Sequence, residues 1–179
     1  MVIYKAVIFD MGGVLMSYAK MPYVPELREE IQKGMTSPYV LSIFNNMVED
    51  ANFAIAVPNI RNAGFRTAIL TNNAFQNERR QRSIRLENAI KVHDAVIESC
   101  RIGYRKPEKE IYLIAASQLN VEPEECIFID DLEENCKGAQ EVGMTAIQVC
   151  SHSISCSIIT AVVVLRSCFN QPTNVLRLK

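Results

Sequence analysis

The chain has 179 residues, 19 Lys plus Arg against 20 Asp plus Glu, and a formal net charge of −1. That length suits one domain with a real core rather than two. The near-neutral charge, with no basic stripe interleaved with aromatics, gives no sign of nucleic acid or an anionic membrane as partner, and 49% hydrophobic residues exclude a disordered chain.

In chain order, Tyr4 to Phe9 reads as a buried strand, followed by Gly12-Gly13. It begins so early that no secretory signal is expected. Pro25 to Lys33 has a charged and an apolar face and predicts a helix stopped by Gly34. Ser37-Pro38 predicts a helix start, with Ser37 as N-cap, for a helix running through Met47 toward Asp50. Ile55 to Ala63 reads as helical, with Pro58 expected to start or kink it. Thr67 to Leu70 is a second strand, Asn77 to Ile90 a solvated, highly charged helix, and Ala95 to Ile97 a third strand. Glu108 to Leu119 predicts an amphipathic helix with Ile111, Ile114, Ala115 and Leu119 inward. Cys126 to Ile129 is a fourth strand, Glu134 to Val142 a helix closed by Gly143, and Thr145 to Val149 a fifth strand. Alternating strands and helices imply an α/β fold: a parallel sheet between two helical layers.

Residues 151–179 fit this pattern poorly. Their apolar run Ile158–Leu165 ends at Arg166, well short of the roughly 20 residues a membrane span needs, and reads as a further strand or a packed helix. The six cysteines include no C-x-x-C pair, which argues against a zinc site. Reduced thiols in a cytoplasmic or organelle-matrix protein are expected.

Four segments carry residues of use to phosphoryl chemistry. Three strands end at Asp10, at Thr71 and at Asp130-Asp131, and a turn, Gly103–Pro107, carries Lys106. In an open parallel sheet, ligands sit beyond the carboxyl ends of the strands, so chain order gathers these groups in one crevice. Each has a plainer reading. Asp10 can cap a turn, Asp130 or Asp131 can cap the helix beginning near Leu132, Thr71-Asn72-Asn73 can be an ordinary Asx turn, and Lys106 can be a solvated lysine. Read together, an aspartate can attack phosphorus, an ammonium can neutralise the transferring group, and hard carboxylate oxygens suit Mg²⁺ beside a phosphate.

The ordered set Phe9-Asp10-Met11-Gly12-Gly13-Val14-Leu15, Leu70-Thr71-Asn72-Asn73, Arg105-Lys106-Pro107-Glu108 and Phe128-Ile129-Asp130-Asp131 resembles the four motifs of the haloacid dehalogenase-like (HAD) hydrolase superfamily. Val96–Arg101 and Asp130–Asn135 extend the likeness to the phosphatase-like N-terminal domain of soluble epoxide hydrolase and of acyl-CoA dehydrogenase family member 10. The resemblance implies a three-layer Rossmann-like domain over residues 1–150, with a reduced helical cap inserted at about 16–55 and an atypical tail at 151–179. It implies Asp10 as nucleophile, Thr71, Asn72 and Lys106 as the phosphoryl-binding set with Lys106 also catalytic, and Asp10, the Gly12 carbonyl, Asp130 and Asp131 as Mg²⁺ ligands. The substrate would be a small phosphate ester.

Two departures qualify this. Phosphatases of the superfamily usually place a second aspartate, the general acid and base, where this chain has Gly12. Only roughly 60 residues separate Asp10 from Thr71, room for a thin cap. Met11, Met16 and Met21 either line the opening or fill gaps as apolar residues. The alternative to a phosphatase is an inactive HAD-like domain that binds a phosphorylated ligand or a protein partner. Dehalogenation is weaker, because it leaves the paired aspartates without a purpose.

Overall fold

The computed structural model describes residues 3–17, 25–44, 48–84 and 91–149. In chain order its elements are β1 (Ala6–Phe9), β2 (Met16–Ser17), α1 (Pro25–Lys33), α2 (Pro38–Phe44), β3 (Val48–Glu49), α3 (Ala51–Asn62), β4 (Arg66–Thr71), β5 (Ala95–Glu98), α4 (Ser99–Ile102), α5 (Lys109–Gln118), β6 (Cys126–Asp130), α6 (Glu133–Glu141) and β7 (Thr145–Gln148). A 3₁₀ turn, Pro123–Glu125, leads into β6.

Five strands form one sheet in the order β5-β4-β1-β6-β7, every pair parallel. Strands buried on both faces read as continuous apolar runs, and these do. Odd-numbered residues of the central strands (Val7, Phe9, Ile69, Ile127, Ile129) pack on one face with Phe53, Val57 and Ile60 of α3. Even-numbered ones (Ile8, Ala68, Leu70, Phe128) pack on the other with Ile111, Tyr112, Ala115 and Ala116 of α5 and Ala139 of α6. Two apolar layers thus sandwich the sheet, and the α/β reading holds. The chain runs from β1 outward to β4 and β5, then crosses to β6 on the other side of β1. That reversal of strand order is where such sheets bind ligands, and Asp10 stands at the carboxyl end of β1.

Several local expectations are corrected. The helix that Ser37-Pro38 begins, with Ser37 Oγ accepting from the Val40 N–H at 3.3 Å, is described over Pro38–Phe44 and does not reach Asp50. Val48–Glu49 instead pairs antiparallel with Met16–Ser17, and the Asp50 N–H donates to the Leu15 carbonyl at 2.9 Å. The next helix starts at Ala51, not near Ile55, because the Asp50 carboxylate accepts from the N–H groups of Asn52 and Phe53 at 2.9 and 3.4 Å. Pro58 lies inside it, and the Ala54 carbonyl it deprives of a partner belongs to an exposed residue.

The charged stretch from Asn77 is not a helix over its described part. Phe75 bridges antiparallel to Ser83, and the Gln76 N–H donates to the Arg82 carbonyl at 2.8 Å, so the chain doubles back on itself. Burial of Phe75, Ser83 and Ile84 in that return overrides the helix propensity of the arginines and glutamate. Residues 85–90 lie outside the described residues. In α5, Ile114 is only half-buried, and Tyr112 and Ala116 take core positions instead. Met11 and Met16 are buried among apolar neighbours, as gap-fillers, while Met21 lies outside the described residues. So does the whole reading of residues 151–179. Among the described residues, no helix is long and apolar enough to cross a membrane.

Candidate active site

The register brings the expected residues to one end of the sheet. Phe9 is level with Ile69 on β4 and with Ile129 on β6, so Asp10, Thr71 and Asp130 all leave at the same carboxyl edge. Lys106 arrives from the loop between α4 and α5 and is buried. Its ammonium lies 2.7 Å from Asp10 Oδ1 and 2.7 Å from Asp130 Oδ2. The solvated-lysine reading is therefore excluded.

Each partner is held in turn. Asp10 Oδ1 accepts from the Met11 N–H at 2.7 Å. Asp130 Oδ1 accepts from the Leu132 N–H at 2.8 Å, closing the turn into α6. The Asn135 amide donates to both Asp130 oxygens at 3.0 Å, and the Tyr112 hydroxyl donates to the Asn135 carbonyl at 2.8 Å. The turn-capping and ligand readings of Asp130 are thus not exclusive, since the same carboxylate caps its turn and faces Lys106. Asn135 was not singled out as a site residue from sequence. The signal that could have found it is a polar side chain on the inward face of α6, beside buried Cys136 and Ala139.

Carboxylate oxygens of Asp10, Asp130 and Asp131 all lie within 4.8 Å of one another. Burial raises the Asp10 carboxyl to about 6, with the Lys106 ammonium pulling the other way. Burial, aided by the charges of Asp10 and Asp130, raises Asp131 to about 7. Burial also opposes the charged form of Lys106, yet the two facing carboxylates win and hold it above the usual lysine value. One ammonium therefore stands against three carboxylates, two of which resist ionising. Oxygen donors under this repulsion fit a hard divalent cation.

Gly13 completes the cluster. Its φ is 77°, and an added Cβ would sit 2.6 Å from Asp131 Cγ, so the main chain passes directly under that carboxylate. The unusual backbone angle of the Gly12-Gly13 pair therefore falls on Gly13.

Thr71 is buried at the end of β4. The Asn72 side chain is committed to the main chain of Lys106. Its Oδ1 accepts from the Lys106 N–H at 2.8 Å, and its Nδ2 donates to the Lys106 carbonyl at 2.9 Å. The Asn72 side chain thus has one amide proton left to donate to a phosphate, and its two bonds fix the lysine. Cys126 and Cys136 are buried free thiols, raised by burial to about 12 and 11. They are unsuited to nucleophilic work.

A family model described as haloacid dehalogenase-like hydrolase matches residues 48–143. The chain is 37% identical over 92 residues to bifunctional epoxide hydrolase 2 of Sus scrofa, a match covering 50% of this chain and 17% of that protein. It is 38% identical over 94 residues to acyl-CoA dehydrogenase family member 10 of Mus musculus, covering 52% of this chain and 8% of that one. The match thus spans only a small part of each relative's length. Among solved structures, a HAD family enzyme of Bacteroides thetaiotaomicron, in complex with magnesium and inorganic phosphate, superposes with a TM-score of 0.63 at 19% identity, over 85% of this chain and 97% of that one. At that identity the likeness is one of fold. With the family model spanning more than half of its residues, and with the parallel sheet to match, the chain belongs to the haloacid dehalogenase-like hydrolases.

Proposed function

We propose that this chain is a Mg²⁺-dependent phosphatase acting on a small phosphate ester through an aspartyl-phosphate on Asp10. The observation that carries the reading is the convergence of Asp10, Asp130 and Asp131 within 4.8 Å, with the Lys106 ammonium 2.7 Å from two of them. Asp10, Asp130 and Asp131 would hold the ion, with the Gly12 carbonyl as an expected further ligand. When bound, Mg²⁺ supplies positive charge that favours ionised carboxylates and offsets the charge of the phosphate.

In the first step an Asp10 carboxylate oxygen attacks phosphorus, the bond to the ester oxygen breaks, and that oxygen departs with the bonding electron pair and takes its proton from solvent water. In the second, water attacks the phosphorus of the aspartyl-phosphate, and Asp10 is released with inorganic phosphate. Lys106 balances the charge of the transferring group, and Thr71 would orient it by hydrogen bonding. Asn72 serves the same end indirectly, through its two bonds to the Lys106 main chain. Gly12 provides no side chain to give the leaving alcohol its proton, so esters with good leaving groups should react fastest.

The absence of that acid also favours a second reading, a domain that binds a phosphorylated ligand without turning it over. An assay against a panel of phosphate esters, with and without Mg²⁺, separates the two. The phosphatase reading expects Mg²⁺-dependent release of inorganic phosphate that Asp10→Asn abolishes. Phosphate binding without release on any ester would leave the binding reading.

A further inference from the structure

We propose that Glu98, anchored by Arg101 and acting through Asn73, is a positioning residue for the phosphoryl-binding turn Thr71–Asn73, an inference that rests on the phosphatase reading. Glu98 ends β5 directly beside Thr71 in the sheet register and is almost wholly buried. Its Oε1 accepts from Asn73 Nδ2 at 2.9 Å, and its Oε2 accepts from Arg101 Nε at 2.6 Å. A buried carboxylate needs such partners, because its charge is costly away from water.

Asn73 is gripped from every side. Its N–H donates to Ser99 Oγ at 2.9 Å, and the same hydroxyl donates back to the Asn73 carbonyl at 3.2 Å. Its Nδ2 also donates to the Ile84 carbonyl at 2.6 Å, while its Oδ1 accepts from the Ala74 N–H at 2.8 Å. Arg101 reaches on to Ser83 Oγ at 3.1 Å and sits over the Phe75 ring, 5.5 Å from its centroid. Phe75 in turn bonds to Gly34 and Thr36, at the junction of α1 and α2. Asn73 and its neighbours Asn72 and Phe75 are therefore fixed by different partners. Asn72 clasps Lys106, Asn73 is held by Glu98 and Ser99, and Phe75 is tied to the helices above. The turn that would present Thr71 to a phosphate has no freedom to drift while Glu98 keeps its bonds to Asn73 and Arg101.

The test is a double-mutant cycle on the full chain, with Mg²⁺ and an aryl phosphate as substrate, combining Glu98→Gln with Thr71→Ala. Glutamine keeps the shape and the acceptor for Asn73 but cannot accept from Arg101 Nε with its amide nitrogen. A misplaced binding group costs up to about 10²-fold in rate. We therefore expect Glu98→Gln to lower kcat/KM by about 10-fold or more alone and to have little further effect once Thr71 is alanine. An equal fold-loss in both backgrounds, or none in either, would overturn the proposal. Ser99→Ala, which removes one hydroxyl from the same clamp, should give a smaller loss that likewise vanishes with Thr71→Ala. If the wild type hydrolyses nothing, the phosphatase reading has failed, and amide hydrogen exchange decides the clamp. Faster exchange at Asn73, Ala74 and Phe75 in Glu98→Gln, with the sheet unchanged, supports it; unchanged exchange at those three amides refutes it.

Discussion

At Gly13 the main chain and the Asp131 carboxylate are so close that no side chain fits between them. Gly13→Ala meets two obstacles, a φ of 77° and that contact. The backbone angle alone should destabilise the fold by about 1–2 kcal/mol. The displaced carboxylate should also weaken Mg²⁺ binding, read as a smaller rise in melting temperature on adding the ion. Gly12 poses the opposite case. If turnover is limited by a missing acid, Gly12→Asp should raise activity on esters with poor leaving groups by about 10²-fold, near the lower end of what general acid–base assistance contributes. Activated aryl phosphates should gain less. A stably folded Gly12→Asp protein that binds Mg²⁺ and hydrolyses no ester would contradict the impaired-enzyme reading. Asp10, Lys106, Asp130 and Asp131 were legible in sequence because each follows a strand or sits in a turn with a fixed place in the topology. Asn135, Glu98 and Arg101 were not assigned roles, because a buried polar group is recognised by its partners, and those lie on other elements.

Among the elements, the strands were legible because a strand buried on both faces leaves an uninterrupted apolar run. Helix α3 starts at Ala51, ahead of the Ile55 that the apolar pattern suggests, because Asp50 caps it, and Pro58 is accommodated inside it. Asp50→Ala should therefore cost about 1 kcal/mol, the usual worth of such a cap. A thermal melt checks this, and an unchanged melting temperature would mean the Asn52 and Phe53 N–H groups are satisfied by water. The stretch after Asn77 was misread for a different reason. A charged run scores as helix in isolation, but Phe75 and Ser83 pair across it, and Asn73 and Arg101 hold Ile84 and Ser83 in place.

For the whole molecule, Asp10 and Asp131 make stability depend on pH, and on metal through the cluster they form with Asp130. Burial holds the Asp10 and Asp131 carboxyls up at about 6 and about 7 in the folded chain, well above the usual carboxylate range. Groups raised in this way bind protons more tightly when folded, so they destabilise the native state as pH rises through those values. His93 works in the other direction: burial lowers it to about 4 from 6.5, so it withdraws stability only as pH falls below about 6.5. Lys106, held above the usual lysine range by Asp10 and Asp130, stays charged throughout. In chelator, the melting temperature should therefore rise as pH is lowered from about 8 to about 7, above most of the range in which His93 opposes it. Asp131→Asn should flatten that slope, and saturating Mg²⁺ should reduce it by favouring the ionised carboxylates. A melting temperature that falls over the same interval would show that these carboxylates are not held above their usual range.

Asp10 as nucleophile leaves a covalent trace that can be caught. The direct measurement is the intact and peptide mass of the protein after rapid acid quench from a phosphate ester and Mg²⁺. One added phosphoryl group is expected on the peptide carrying Asp10, absent in Asp10→Asn and absent when Mg²⁺ is removed. Ester hydrolysis that proceeds undiminished in Asp10→Asn, or a phosphoryl group found on any other residue, would contradict it.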